Sequence, residues 1–143
     1  MIILDTNVIS EFMKTSPAVR VAKWLASHPR SRIFTTSVTQ AEIFFGLEVM
    51  PHGRKRDALY KAAAAMFREK FADHVLVFDG DASHTFAAIA AARERIGQPI
   101  GLFDCQIAAI ARLHGAAIAT RDLRDFADCG VELIDPWSNQ TRS

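Results

Sequence analysis

Short apolar runs alternate along this chain with longer segments of helical period, and that alternation constrains the fold more than any other feature. It is the pattern of an α/β protein, a parallel sheet with helices packed on its faces. The runs predict strands at Ile2 to Asp5, Arg32 to Thr36, His74 to Phe78, Ala116 to Thr120 and Val131 to Ile134. Helices are predicted near Asn7 to Met13, Ala18 to Ser27, Val38 to Val49, Arg54 to Ala72, Ala82 to Ile96 and Leu102 to His114. Local punctuation agrees: Pro17 suits a first helical turn, Ser37 and Asp81 suit N-caps, and Gly97 and Gly115 suit C-terminal stops. Repeats and linkers are not evident, so one domain is expected over residues 1–138, followed by a polar, frayed tail over 139–143.

With 143 residues, half of them hydrophobic, such a domain can bury a core without disulfides or a structural metal. Seventeen basic residues nearly balance sixteen acidic ones, so any nucleic-acid contact must come from a local patch rather than a basic domain. The opening MIILD lacks the basic and apolar regions of a signal peptide, and no run approaches the roughly 18 apolar residues of a membrane span. A cytoplasmic location without membrane insertion is therefore expected. Cys105 and Cys129 are too few for a disulfide framework and are read as buried, reduced thiols. The five histidines never fall three to five residues apart, which removes the helical zinc pair.

Ligands of an open parallel sheet sit beyond the carboxyl ends of its strands, where loops and helix N-termini converge. Asp5 closes the first predicted strand, and Asp122 follows the fourth after Thr120 and Arg121. Asp104 opens a helix, where it is either a stabiliser of the helix dipole or a ligand. Glu42 lies four residues after Val38 and three before Phe45, beside the apolar stripe of its own helix. A carboxylate there needs an arginine, a raised pKa or a cation. Asp81 and Asp79 are read as a cap and a turn residue. Several like charges converging on one sheet edge call for a divalent ion, and oxygen-only donors suit Mg²⁺, with Mn²⁺ as substitute. Such ions support phosphoryl transfer or phosphodiester hydrolysis.

Four segments together resemble a known family: LDTNVISE at 4 to 11, SVTQAEIFFGL at 37 to 47, LFDCQIAAIA at 102 to 111 and ATRDLRDF at 119 to 126. Each is weak alone, but their order and spacing resemble the PIN domain, and within it the VapC-like toxins of toxin–antitoxin pairs, particularly the FitB-like branch. The resemblance covers essentially the whole chain. It implies a three-layer α/β/α sandwich with a mostly parallel sheet of about five strands. It places the family's metal-binding acids on Asp5, Glu42, Asp104 and Asp122, with Thr6 and Thr120 lining the pocket. Many relatives carry Asn at the position of Asp122 and the acid three residues on, here Asp125, so either acid could face the metal. The resemblance further implies an endoribonuclease that forms a homodimer and is held inactive by an antitoxin, through which alone it meets DNA.

For gripping a substrate, Arg121 beside the acidic cluster is the stronger candidate, while His52-Gly53-Arg54-Lys55-Arg56 also reads as a solvated helix start. Aromatic platforms are not evident, because the ten Phe residues fall mostly at core-like positions. Trp24, Leu25, Phe67 and Phe71 look like core or like a surface for an antitoxin helix. Two rival readings remain. A phosphotransferase of the haloacid-dehalogenase type would want an acid where Asn7 stands, and a receiver would want a lysine after a later strand. A PIN-fold binding protein, acting mainly in an antitoxin–DNA repressor complex with little nuclease activity, keeps the fold without the chemistry.

Overall fold

The computed structural model describes residues 1–138 and 140–142. Six strands form one sheet in the order β3-β2-β1-β4-β5-β6. They are β1 (Ile2–Leu4), β2 (Ile33–Thr36), β3 (Val75–Leu76), β4 (Ala117–Ala119), β5 (Leu133–Asp135) and β6 (Gln140–Arg142). The first five run parallel, with Ile2 opposite Ile33 and Ile3 opposite Ile118. β6 is antiparallel to β5 and was missed in the sequence, where its residues read as a frayed tail. It consists of polar residues on a sheet edge, which carry no apolar alternation to reveal them. The two ends of that expected tail, Asn139 and Ser143, lie outside the described residues.

The helices are α1 (Thr6–Phe12), α2 (Val19–Ala26), α3 (Ser37–Glu48), α4 (Arg54–Ala65), α5 (Gly80–Arg95) and α6 (Leu102–Leu113). The long helix expected over 54–72 is α4 followed by a π-type stretch, Met66–Lys70, closed by a bond from the Phe71 amide to the Met66 carbonyl. Two caps differ from expectation. Thr36, still extended at φ −126°, accepts the Thr39 amide at 3.0 Å, so Ser37 is already helical. Asp79 accepts the Ala82 amide at 2.9 Å, which leaves Asp81 inside the first turn of α5. Pro17 falls outside α2, because the Ala18 amide is drawn to the Glu11 carboxylate at 3.0 Å. Gly97 (φ 72°) and Gly115 (φ 63°) do end α5 and α6, in a left-handed conformation that glycine adopts without a Cβ clash.

Strand pleating divides the apolar residues between two cores. Ile3 and Ile118 point to one, filled by Ile89 of α5, Ile107 and Ile110 of α6, and Phe126. Ile2, Leu4 and Ala119 point to the other, filled by Val8 and Ile9 of α1, Val21 and Trp24 of α2, Leu47 of α3, Phe67 and Phe71. The result is the three-layer sandwich, with one more strand than expected. The chain leaves β1 toward β2 and β3 on one side and later builds β4 and β5 on the other. A crevice consequently opens beyond the carboxyl ends of β1 and β4. No helix among the described residues is long and apolar enough to cross a membrane.

Candidate active site

The crevice is a cavity of about 440 Å³ whose lining includes Asp5, Glu42, Asp104 and Asp122. Four elements deliver them: the end of β1, the first half of α3, the first turn of α6 and the loop after β4. Asp5 is only 5% exposed. Its Oδ2 accepts the Thr120 hydroxyl at 2.8 Å and a long bond from Asn7 Nδ2 at 3.4 Å. Burial, with the charges of Asp104 and Glu42 adding to it, raises its pKa from 3.8 to about 7 despite the hydrogen bonds to Thr6 and Thr120. Asp104 is raised to about 6 by burial, then by Asp125, Glu42 and Asp122. Both shifts have the sign expected where carboxylates crowd together with too little positive charge among them.

Hydroxyls and one amide hold Asp5, Glu42 and Asp122 in place. The Thr6 hydroxyl donates to Glu42 Oε1 at 2.8 Å. Thr120 Oγ1 gives its proton to Asp5 and accepts both Asn7 Nδ2 (3.2 Å) and the Asp122 amide (3.0 Å), so its whole hydrogen-bonding capacity is used. Asn7 Nδ2 also donates to Asp122 Oδ2 at 3.0 Å, while Asn7 Oδ1 accepts the Arg121 amide at 3.3 Å. This places α1 and the loop after β4 in one network. Thr6 and Thr120 therefore act on the cluster directly, one on Glu42 and the other on Asp5. Asp122 lines the cavity; Asp125 does not, although its charge is the first of those acting on Asp104.

Among the described residues, no three acidic, histidine or cysteine side chains form a ready-made cage for an ion. Glu42, Asp122 and Asp5 are instead tethered separately, by Thr6, Asn7 and Thr120 respectively. The donor chemistry still fits a hard ion, since Mg²⁺ keeps several waters and needs only one or two carboxylates directly. Cys105, pushed by burial to about 11, and Cys129, also raised by burial, are inert thiols outside this lining.

Sequence reasoning missed Asn7, which stands inside the LDTNVISE run but was weighed only as an acid that is absent. It also missed Trp137, which follows the last predicted strand and lines the same cavity as Arg121. The Arg121 guanidinium is exposed and lies 4.2 Å from the Trp137 ring centroid. Within the basic run, Arg56 is committed to the Leu47 carbonyl (2.9 Å) and Glu48 (2.8 Å). A third omission is Arg93, 5% exposed, which donates to the carbonyls of Gln98, Asp125 and Ala127 and so ties α5 to the loop that carries the acids.

Comparison with known proteins places this geometry in context. The PIN domain family model matches residues 2–131. A VapC ribonuclease, Y4jK of Sinorhizobium fredii, is 39% identical over 137 residues, 96% of this chain and 98% of that protein. The toxin FitB of Neisseria gonorrhoeae is 34% identical over 137 residues, 96% of this chain and 99% of that one. Among solved structures, FitAB bound to an IR36 DNA fragment superimposes with a TM-score of 0.89 at 34% identity, covering 96% of each chain.

Proposed function

The chain belongs to the PIN domain family, and on that premise we propose that it is a Mg²⁺-dependent endoribonuclease serving as the toxin of a toxin–antitoxin pair. The observation that carries this reading is the gathering of Asp5, Glu42, Asp104 and Asp122 around one cavity, with a buried Asp5 whose charge lacks a cationic partner among the described residues. Asp5, Glu42 and Asp104 would hold the ion, with Asp122 as a further ligand or as the group orienting water. A bound Mg²⁺, or Mn²⁺ in its place, supplies Lewis acidity toward a scissile phosphate and the attacking water. The chain's own contribution is positional: Thr120 fixes Asp5, Thr6 fixes Glu42, and Asn7 fixes Asp122. Arg121 at the rim takes an RNA phosphate.

The relatives bearing the names VapC ribonuclease and toxin FitB support the substrate class and the toxin role. The DNA-bound FitAB structure supports a partner protein and a complex that meets DNA; in the proposed reading that partner is an antitoxin, the toxin is a homodimer and DNA is met through the antitoxin. A second cavity of about 370 Å³, lined by Phe12, Met13, Leu25 and Met66 among others, suits an apolar protein segment. The deciding experiment is RNA cleavage by the isolated chain in Mg²⁺, with EDTA and Asp5→Asn as controls. Cleavage should vanish in EDTA and fall at least about 100-fold in Asp5→Asn, whose circular dichroism stays unchanged. A chain that binds its antitoxin and DNA yet cuts no RNA would instead be a repressor subunit.

A further inference from the structure

The cavity is lined by five carboxylates, those of Asp5, Glu11, Glu42, Asp104 and Asp122, and by two cations, Lys14 and Arg121. A polyanion approaching such a surface meets mostly repulsion. Lys14 is spent on Glu11, 2.9 Å away, a contact that also draws the Glu11 carboxyl below its usual range. Among the described residues Arg121 makes no ion pair, and its guanidinium is exposed at the rim. It does not sample solvent freely, because it rests over the Trp137 ring.

Trp137 is itself anchored. Its amide donates to Asp135 Oδ1 at 2.8 Å, and its carbonyl accepts Arg20 Nη1 at 3.3 Å. Part of its ring packs against the core built on Leu4 and Ile9, while part lines the cavity beside Asp122. A fixed indole carrying a cation, next to a phosphate-processing centre, combines the two elements by which proteins hold unpaired nucleotides: a π-face or guanidinium plane for the base and a positive charge for the backbone.

We propose that Trp137 and Arg121 together form a nucleotide subsite at the mouth of the acidic cavity, the cavity-facing part of the Trp137 ring beside the guanidinium receiving one unpaired base while the ring holds Arg121 against that nucleotide's phosphate. This rests on the ribonuclease reading and names the residues that seat the substrate. Trp137 acts by binding and positioning, and takes no part in the hydrogen bonds of Asp5, Glu42 and Asp122. The subsite takes an unpaired nucleotide, since a base inside a duplex offers no free face.

Binding to single-stranded oligouridylate and to an abasic ribose-phosphate strand of equal length, in EDTA so that no strand is cut, isolates the base from the backbone. The wild type should prefer the base-bearing strand, with quenching of indole fluorescence. Trp137→Ala should lose that preference by at least about tenfold, and Trp137→Phe, which keeps a ring, should retain most of it. Arg121→Ala should weaken binding to both strands and lower the salt slope by about one unit. In Mg²⁺ the Trp137→Ala defect should appear as a raised KM with kcat nearly unchanged. A wild type with no base preference, or a folded Trp137→Ala chain that keeps it, overturns the subsite. Failure of the wild type to cut any RNA in Mg²⁺ overturns the ribonuclease reading beneath it, so the two failures are separable.

Discussion

Replacing Asp104 with Asn should make the metal-free protein more stable at alkaline pH and less responsive to Mg²⁺. The folded state raises the Asp104 pKa from 3.8 to about 6 through burial and the charges of Asp125, Glu42 and Asp122. A shift of that size corresponds to about 3 kcal/mol at full ionisation. The side chain is only partly buried, so screening reduces this to about 1–2 kcal/mol. Asp104 sits in the first turn of α6, and loss of its charge there costs about 0.3–1 kcal/mol. The net gain for Asp104→Asn is then about 1 kcal/mol at pH 8, or about 3–5 °C in Tm for a domain of this size. Because the folded pKa is the higher one, the wild-type residue contributes most stability below pH 3.8 and loses it as pH rises through about 6. The advantage of Asn should therefore shrink steadily on acidification from about pH 8 to 4. In excess Mg²⁺ the order should reverse, since a hundredfold excess over Kd stabilises the wild type by about 2.7 kcal/mol and the variant by much less. Thermal melts of both proteins across this pH range, with EDTA and with Mg²⁺, read all three effects. Equal melting temperatures at every pH with parallel Mg²⁺ shifts would refute the reasoning and leave Asp104 a helix-end residue.

On the proposed reading protons and Mg²⁺ would compete for the same carboxylates, so RNA cleavage at limiting Mg²⁺ should rise as pH passes through about 6 and 7, the values of Asp104 and Asp5, and more Mg²⁺ should move the rise to lower pH; a pH-rate profile insensitive to Mg²⁺ concentration argues against it. Arg93→Met strips the donors from three carbonyls around a buried side chain and should cost about 3–5 kcal/mol in urea unfolding, with Arg93→Lys intermediate; a loss under about 1 kcal/mol would show that water replaces the guanidinium. Asp79→Ala should cost about 1 kcal/mol by removing the cap of α5, while Asp81→Ala costs less than half as much, and equal losses would contradict the assigned cap.

The features legible in the sequence are those with local causes. Strand and helix alternation follows from apolar period, and it sufficed for the parallel α/β class and for the crevice as the place to seek acids. The placement of Asp5 and Asp122 at the crevice was readable because Asp5 comes at the end of a strand and Asp122 a few residues beyond one, and that of Glu42 because a carboxylate beside an apolar stripe demands a partner. Ser37 and Asp81 were plausible caps on composition alone, but the backbone turns one and two residues earlier, at Thr36 and Asp79, and only dihedral angles distinguish these neighbours. What the tertiary structure alone decided lies across long separations. Asn7 reaches Thr120 and Asp122 more than a hundred residues away, Arg93 gathers carbonyls some thirty residues on, and Trp137 meets Arg121 only because β5 and its following turn return to the crevice. Polar contacts of this kind leave no periodic trace, since hydrogen bonds and cation–π pairs depend on position in space, whereas apolar burial is written into the chain as a repeat that every strand and helix must obey.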